Sequence, residues 1–347
     1  MKCGKIDCLI LIVERLDRKM KEIILSGMQP TGKTGRLHLG NYEGALRNWV
    51  KHQNNGNYAM YLCIVDWHFL TSGYKDTNGL KNSIKESTID YLSAGLDPQK
   101  CAMFIQSDVK EHAELHLLLS MITPISWLER VPSYKEKIEE MGLDSYGFLG
   151  YPLLQAADIL VYKANAVPVG KDQLPHIELT REIARRFNYL YGDVFPEPQG
   201  LLTPFAVVPG TDGRKMSKSY NNDIKMADSE EIITAKLKKM FTDPDKLRKG
   251  DPGHPEICPV YALHEIYNKN HEEIVAPCKS GQLGCVDCKM KLAKLLNQAL
   301  SPVRQKRAEI EKDDAQIWDI LKDGAKQARA KALQTMVDVR KAMKIDR

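Results

Sequence analysis

The run Tyr58–Asp66, YAMYLCIVD, constrains the fold of this 347-residue chain more than any other stretch. Its apolar character is almost unbroken, the pattern of a strand covered on both faces as in a parallel sheet flanked by helices. Ile23–Ser26 reads as a short buried strand entering a Gly/Pro loop, and residues 41–53 have helical spacing through Tyr42, Ala45, Leu46 and Trp49. Leu80–Ala94 then reads as a helix and Ala102–Ile105 as a third strand. This order predicts a Rossmann-type, doubly wound α/β domain that takes its ligands beyond the carboxyl ends of the strands.

Downstream, residues 111–141 are mixed and helical, Pro152–Tyr162 is a largely apolar helix, Val167–Val169 a short strand and Ile177–Phe187 an amphipathic helix. After residue 220 strands vanish, and Glu230–Met240, Val260–Asn268, Lys289–Leu300, Pro302–Lys312 and Gly324–Met343 all read as helices. The predicted organisation is an N-terminal extension (1–22), a catalytic α/β domain (23–210) with a helical insertion around 110–150, and an all-helical C-terminal domain (211–347). No apolar run approaches the roughly 20 residues needed to span a bilayer. The run Cys8–Val13 meets Glu14 and Arg15 too soon to be a signal-peptide core, so a cytoplasmic protein without a membrane partner is expected. The net charge of +5 favours a polyanionic partner only mildly.

Chemistry concentrates in two loops. Lys215-Met216-Ser217-Lys218-Ser219 offers positive charge and hydroxyl donors to a triphosphate whose charge grows as pyrophosphate leaves. The second loop runs from Pro30-Thr31-Gly32 to His38-Leu39-Gly40-Asn41 and completes an ATP site. A rival lies within it: Gly27–Thr34, GMQPTGKT, satisfies the phosphate-loop pattern, with Ile64-Val65-Asp66 as the metal-binding strand of a P-loop NTPase. Against that, Gly35-Arg36 follows the lysine and the helical pattern starts only near Asn41, whereas a P-loop lysine opens a helix.

The ordered pair HLGN and KMSKS resembles the two signatures of class I aminoacyl-tRNA synthetases. From Ile23 to near the C-terminus the chain is similar to the bacterial tryptophanyl-tRNA synthetase family, through SGMQPTG (26–32), GNYEGALRNWV (40–50), IVDWH (64–68), YPLLQAADIL (151–160), VPVGKDQLPHIELTREIARRFN (167–188) and TDPDKLRKGDPGHPEICPVY (242–261). The resemblance implies activation of L-tryptophan by ATP with Mg2+, then transfer to tRNA(Trp). It assigns Lys215 and Lys218 to the leaving pyrophosphate, with Met216, Ser217 and Ser219 in the same loop. Gln29, Pro30, Thr31, His38, Gly40 and Asn41 hold the nucleotide, with His38 a hydrogen-bond donor, and Gly170, Lys171 and Asp172 line the same site. Relatives have about three fewer residues between the PTG turn and HLGN, so 33–36 reads as an insertion.

Recognition of an indole calls for one acceptor in an apolar slot. Asp158, among apolar neighbours, fits. Tyr151, Val167 and Val169 form the slot, with His68 and Gln173 near the substrate and Gln155 on a wall where relatives often place methionine. A tyrosyl-tRNA synthetase is the nearest alternative in the class; Ala156-Ala157-Asp158 and Val167-Pro168-Val169-Gly170 favour tryptophan.

Cys258, Cys278, Cys285 and Cys288 form C-x19-C-x6-C-x2-C, a metal site rather than a disulfide framework in a cytoplasmic enzyme. Four thiolates suit Zn2+ or a [4Fe–4S] cluster. Resemblance to the subset of the family with a similarly spaced C-terminal set implies the iron–sulfur cluster, Zn2+ being the alternative. Resemblance also implies a homodimer through 110–150. On the last helix Ala325, Ala328, Ala332, Met336, Val339 and Met343 form an apolar stripe, while Lys326, Arg329, Lys331, Arg340, Lys341 and Lys344 read equally as a solvated or a phosphate-contacting face.

Overall fold

The computed structural model describes residues 21–30, 34–132, 134, 138, 142, 145–203 and 207–346. The extension at 1–20, the nucleotide residue Thr31 and the P-loop residues Gly32 and Lys33 lie outside the described residues.

Five strands, β1 (Glu22–Met28), β2 (Tyr58–Ile64), β3 (Cys101–Ile105), β4 (Ala166–Val169) and β5 (Gln199–Leu202), form one sheet in the order β3-β2-β1-β4-β5. All four pairings are parallel, as the apolar run of β2 predicts. Successive side chains of β2 enter opposite cores: Met60, Leu62 and Ile64 join Leu46, Trp49 and Tyr91, while Cys63 joins Leu25, Phe104 and Ala157 on the other face. Cys63 is fully buried and fills that core as a small hydrophobe. The strand β5 was not foreseen. It is a half-exposed edge around Gly200, which has little apolar run to reveal it and admits Leu174 Cδ2 within 2.9 Å of where a Cβ would sit.

The connections are helical. After the turn Leu39–Asn41 and the π-helical Tyr42–Leu46 comes α1 (Arg47–Asn55), then α2 (Asp66–Gly73), α3 (Leu80–Ser93), α4 (Glu111–Ser120), α5 (Tyr151–Leu160) and α6 (Leu174–Tyr191). Beyond the sheet follow α7 (Glu230–Lys239), α8 (Pro259–Tyr267), α9 (Cys285–Ile310) and α10 (Asp314–Ala342). Among the described residues no helix is long and apolar enough to cross a membrane.

Two helix boundaries differ from expectation. Pro302 does not divide two helices but sits inside α9, where the Arg304 guanidinium donates to the Asn297 carbonyl at 3.1 Å beside the carbonyl that the proline leaves without its usual N–H. Gly324 does not open the last helix but lies ten residues into α10, because a Cβ there would stand 1.9 Å from the Met103 carbonyl oxygen. The glycine lets α10 lie on edge strand β3, and the apolar stripe from Ala325 to Val339 joins the core of the sheet domain. The C-terminal segment is thus helical as expected, but its last helix packs with the α/β sheet. The other helices share a core of Ile233, Leu237, Leu263, Leu292 and Leu296 that also takes in Leu39 and Met216 of the two signature loops.

Candidate active site

The strand order reverses between β1 and β4, and a cavity of about 430 Å3 opens there at the carboxyl ends. Leu25, Ser26, Gly27 and Gln29 line it from the end of β1, Cys63, Val65 and His68 from β2 and α2, and Val167, Asp172 and Gln173 from β4 and the turn after it. From α5 come Tyr151, Gln155, Asp158 and Ile159, and from α6 His176. Of the slot predicted from sequence, Val169 alone stays out of the lining; it is buried in the sheet core.

Asp158 is 4% exposed. His68 Nε2 lies 2.8 Å from its Oδ2, His112 Nδ1 2.6 Å from its Oδ1, and Gln106 Nε2 donates across both oxygens at 2.7 and 2.9 Å. Burial pushes the carboxyl up, but the hydrogen bonds and charge of His112 and His68 outweigh it and hold Asp158 well below the usual carboxylate range. Tyr162 lies behind, its hydroxyl 2.7 Å from His112 Nε2. These three donor groups make four contacts, two on each oxygen, so a further donor entering from the cavity would share an oxygen with Gln106, whose Nε2 is divided between the two. Sequence reasoning missed Gln106, His112 and Tyr162, which come from the end of β3, α4 and the end of α5 with no shared motif.

The two signature loops meet beside this cavity. His38 forms a capping box with Asn41: its Nδ1 accepts the Asn41 N–H at 3.3 Å, and Asn41 Oδ1 accepts the His38 N–H at 3.2 Å. Nδ1 is thereby the acceptor and Nε2 the donor. Burial, then the charge of Lys218, pushes the imidazole down to about 4, so it is neutral. Gly40 is required by the ring, since a Cβ would lie 2.9 Å from His38 Nδ1. The Leu39 N–H donates to Ile224 O at 2.9 Å and the Met226 N–H to Leu37 O at 3.0 Å, a ladder that ties HLGN to the chain leaving KMSKS. Buried Met216 packs with Leu39, and a Cβ on Gly40 would lie 3.8 Å from Met216 Cβ. Asn222, another residue the sequence did not flag, shapes the lysine loop: it accepts the Ser217 N–H at 2.8 Å and donates to Lys215 O and Asp212 Oδ1. The Ser217 hydroxyl accepts the Ser219 N–H at 3.2 Å. Lys218 is pushed down to about 8 by burial, against the pull of Asp90 and Asp223. Gly170 and Lys171 open the turn after β4, and a Cβ on Gly170 would fall 2.5 Å from Asp172 Oδ1. Pro30 is buried at the exit of β1.

Residues 18–301 match the family model of the class I tRNA synthetases for W and Y. The chain belongs to this family. Among other class I synthetases, the tryptophan–tRNA ligase of Thermotoga maritima is 50% identical, over 93% of this chain and 99% of the relative, and that of Aquifex aeolicus is 46% identical over the same shares. The tryptophanyl-tRNA synthetase of Campylobacter jejuni, solved in complex with ADP and tryptophan, superposes with a TM-score of 0.80 at 37% identity, covering 92% of this chain and 99% of that one. A tyrosyl-tRNA synthetase of Archaeoglobus fulgidus shares the fold at a TM-score of 0.65 and 21% identity.

The synthetase's four clustered cysteines come from three elements: Cys258 caps α8, Cys278 lies in the short helix Val275–Lys279, and Cys285 and Cys288 occupy the first turn of α9. All four are unpaired, half-buried and line one apolar cavity with Val260, Ile274 and Leu283. Gly253 passes over it so closely that a Cβ would stand 2.6 Å from Cys278 Sγ. Burial and the nearness of the other three thiols push Cys288 up to about 12. Among the described residues no three of these sulfurs come within 4.8 Å of one another.

Proposed function

We propose that the chain is a tryptophan–tRNA ligase, activating L-tryptophan with ATP and passing it to tRNA(Trp). The observation that carries this reading is the buried Asp158 carboxylate, held ionised on the wall of a cavity at the switch point of the sheet, in a chain whose HLGN and KMSKS loops are joined. The indole N–H donates to Asp158; Tyr151, Val167 and Ile159 enclose the ring, and Gln155 stands on the wall. The substrate carboxylate attacks the α-phosphorus of ATP, the bond to the bridging oxygen breaks, and pyrophosphate leaves with the electron pair. His38 Nε2–H, Gln29, Asn41 and the turn Gly170–Asp172 hold the nucleotide, and Lys215 and Lys218 stabilise the leaving charge while Mg2+ travels with the triphosphate. A substrate lacking the N–H forgoes a hydrogen bond to a buried charge while Asp158 keeps His68, His112 and Gln106, a loss of about 1.5–3 kcal/mol or roughly 10- to 100-fold in discrimination. ATP–pyrophosphate exchange with each of the twenty amino acids tests the reading. Exchange with tryptophan alone supports it; exchange with tyrosine, or with none, overturns it.

Three finer points belong to the same proposal. The four-cysteine set, gathered on one apolar cavity, fits a thiophilic centre. The cysteine spacing, similar to that of the family subset with a C-terminal cluster, favours a [4Fe–4S] cluster, which would brace the helical region, over Zn2+. An absorption band near 400 nm in anaerobically purified protein, lost in Cys288→Ser, separates the two. Exposed Leu117, Met121, Ile125 and Tyr146 favour a homodimer through the 110–150 region. The place of work is the cytoplasm.

A further inference from the structure

Asp90 lies on α3, outside both signature loops, and is fully buried. Its Oδ2 accepts the backbone N–H of Leu37 at 2.6 Å, and its Oδ1 accepts from the guanidinium of Arg307 on α9. Leu37 immediately precedes His38, and its carbonyl is the one that Met226, downstream of KMSKS, holds at 3.0 Å. Both backbone groups of Leu37 are therefore fixed from outside its own loop, one by each half of the chain.

The residues before Leu37 are laid on the same helix. Gly35, at φ +68°, faces α3 so closely that a Cβ would stand 2.3 Å from Ser83 Cα, and Ser87 Oγ donates to Gly35 O at 3.1 Å. Arg36 Nε meets Glu86 at 2.9 Å, and Glu86 also pairs with Arg307. Gly35 and Arg36, the last two residues of the insertion, thus dock on α3. Arg307, 4% exposed, closes the cluster by pairing with Glu311 at 2.8 Å. A guanidinium fork that bridges two carboxylates fixes direction as well as distance, which an ammonium does not. Helix α9 carries this fork about six turns from Cys285, roughly 33 Å along the axis at 1.5 Å per residue.

We propose that Asp90 and Arg307 are positioning residues for the nucleotide: together they set Leu37, and through it His38, at the height that ATP requires, so that the helical C-terminal region holds the ATP loop in register. This rests on the reading of His38 as an ATP ligand. Asp90 is fully buried and does not line the cavity. Its charge also reaches Lys218, where it favours the ammonium.

The test is steady-state exchange with separate titrations of ATP and tryptophan on the full chain, for Asp90→Asn and Arg307→Lys. Asp90→Asn keeps an acceptor for Leu37 but drops the charge that holds Arg307; Arg307→Lys keeps the charge but drops the fork. The expected result is a KM for ATP raised about tenfold or more with tryptophan affinity, read by fluorescence in the absence of ATP, within about twofold of the parent. The inference is overturned if Arg307→Lys, folded by its melting transition, shifts neither KM, or shifts both alike, for then the cluster is only structural. His38→Ala separates the underlying reading: an unchanged KM for ATP in that variant removes His38 from the nucleotide site and the positioning role with it.

Discussion

His112 Nδ1 and Asp158 Oδ1 meet at 2.6 Å in the floor of the cavity, and the imidazole has no exposure of its own. This histidine holds the carboxylate without itself lining the cavity. His112→Leu should therefore weaken tryptophan binding without a change in steric fit. Loss of a hydrogen bond to a buried charge costs about 1.5–3 kcal/mol, so affinity should fall roughly 10- to 100-fold. Fluorescence titration with tryptophan measures it, and an unchanged KM for ATP would show that the two subsites are separately built.

Gly40→Ala should strike the other subsite. The added methyl would press on the His38 ring, whose capping box with Asn41 is then displaced. A shift of about 1 Å in a positioning group costs on the order of 100-fold in rate. Pre-steady-state adenylate formation should slow by that order while the melting temperature changes little, since Gly40 itself is only partly buried and lies outside the sheet.

The pH profile follows from Lys218. Its folded value of about 8 lies below the ordinary lysine value because burial disfavours the ammonium. The charged form is the one that stabilises pyrophosphate, so kcat/KM for ATP should be flat below about 8 and fall as pH rises through it. His38, already neutral above about 4, adds no limb at neutral pH. Lys218→Arg, which does not lose its proton in this range, should flatten the alkaline limb even where its absolute rate is lower. Exchange measured from pH 6 to 10 decides it.

Gly324→Leu addresses the fold rather than the site. No rotamer relieves a Cβ set against the Met103 carbonyl, so α10 must lift from β3. Overpacking of this kind costs about 3 kcal/mol or more. Urea unfolding should show a lower midpoint, and the exchange reaction should lose thermal tolerance.

Four of the sheet's five strands and the signature loops were legible in the sequence because their signals are local: short apolar runs, and two short spellings in fixed order. Asp158 was legible because a carboxylate among apolar residues must be paired. Its partners were not, since His112 sits on a mixed helix where a histidine has many bland uses, and only the packing of α4 on α5 brings the two together. Charge runs misled in part. Arg329 and Arg340 on the last helix meet Glu111 and Glu114 of α4 at 3.0 and 2.7 Å, so part of the basic face is spent within the fold. Pro302 and Gly324 read as helix ends because local propensity says so; tertiary contacts decided otherwise.

The contact of Gly324 with β3 also orders events in time. Strand β3 is an edge of the sheet, and residues 314–342 pack along it. During synthesis the first three strands therefore exist for some two hundred residues of chain growth with an open, apolar margin, a surface on which a neighbouring nascent chain can add. The enzyme's vulnerability to aggregation should be greatest just before its last helix leaves the ribosome.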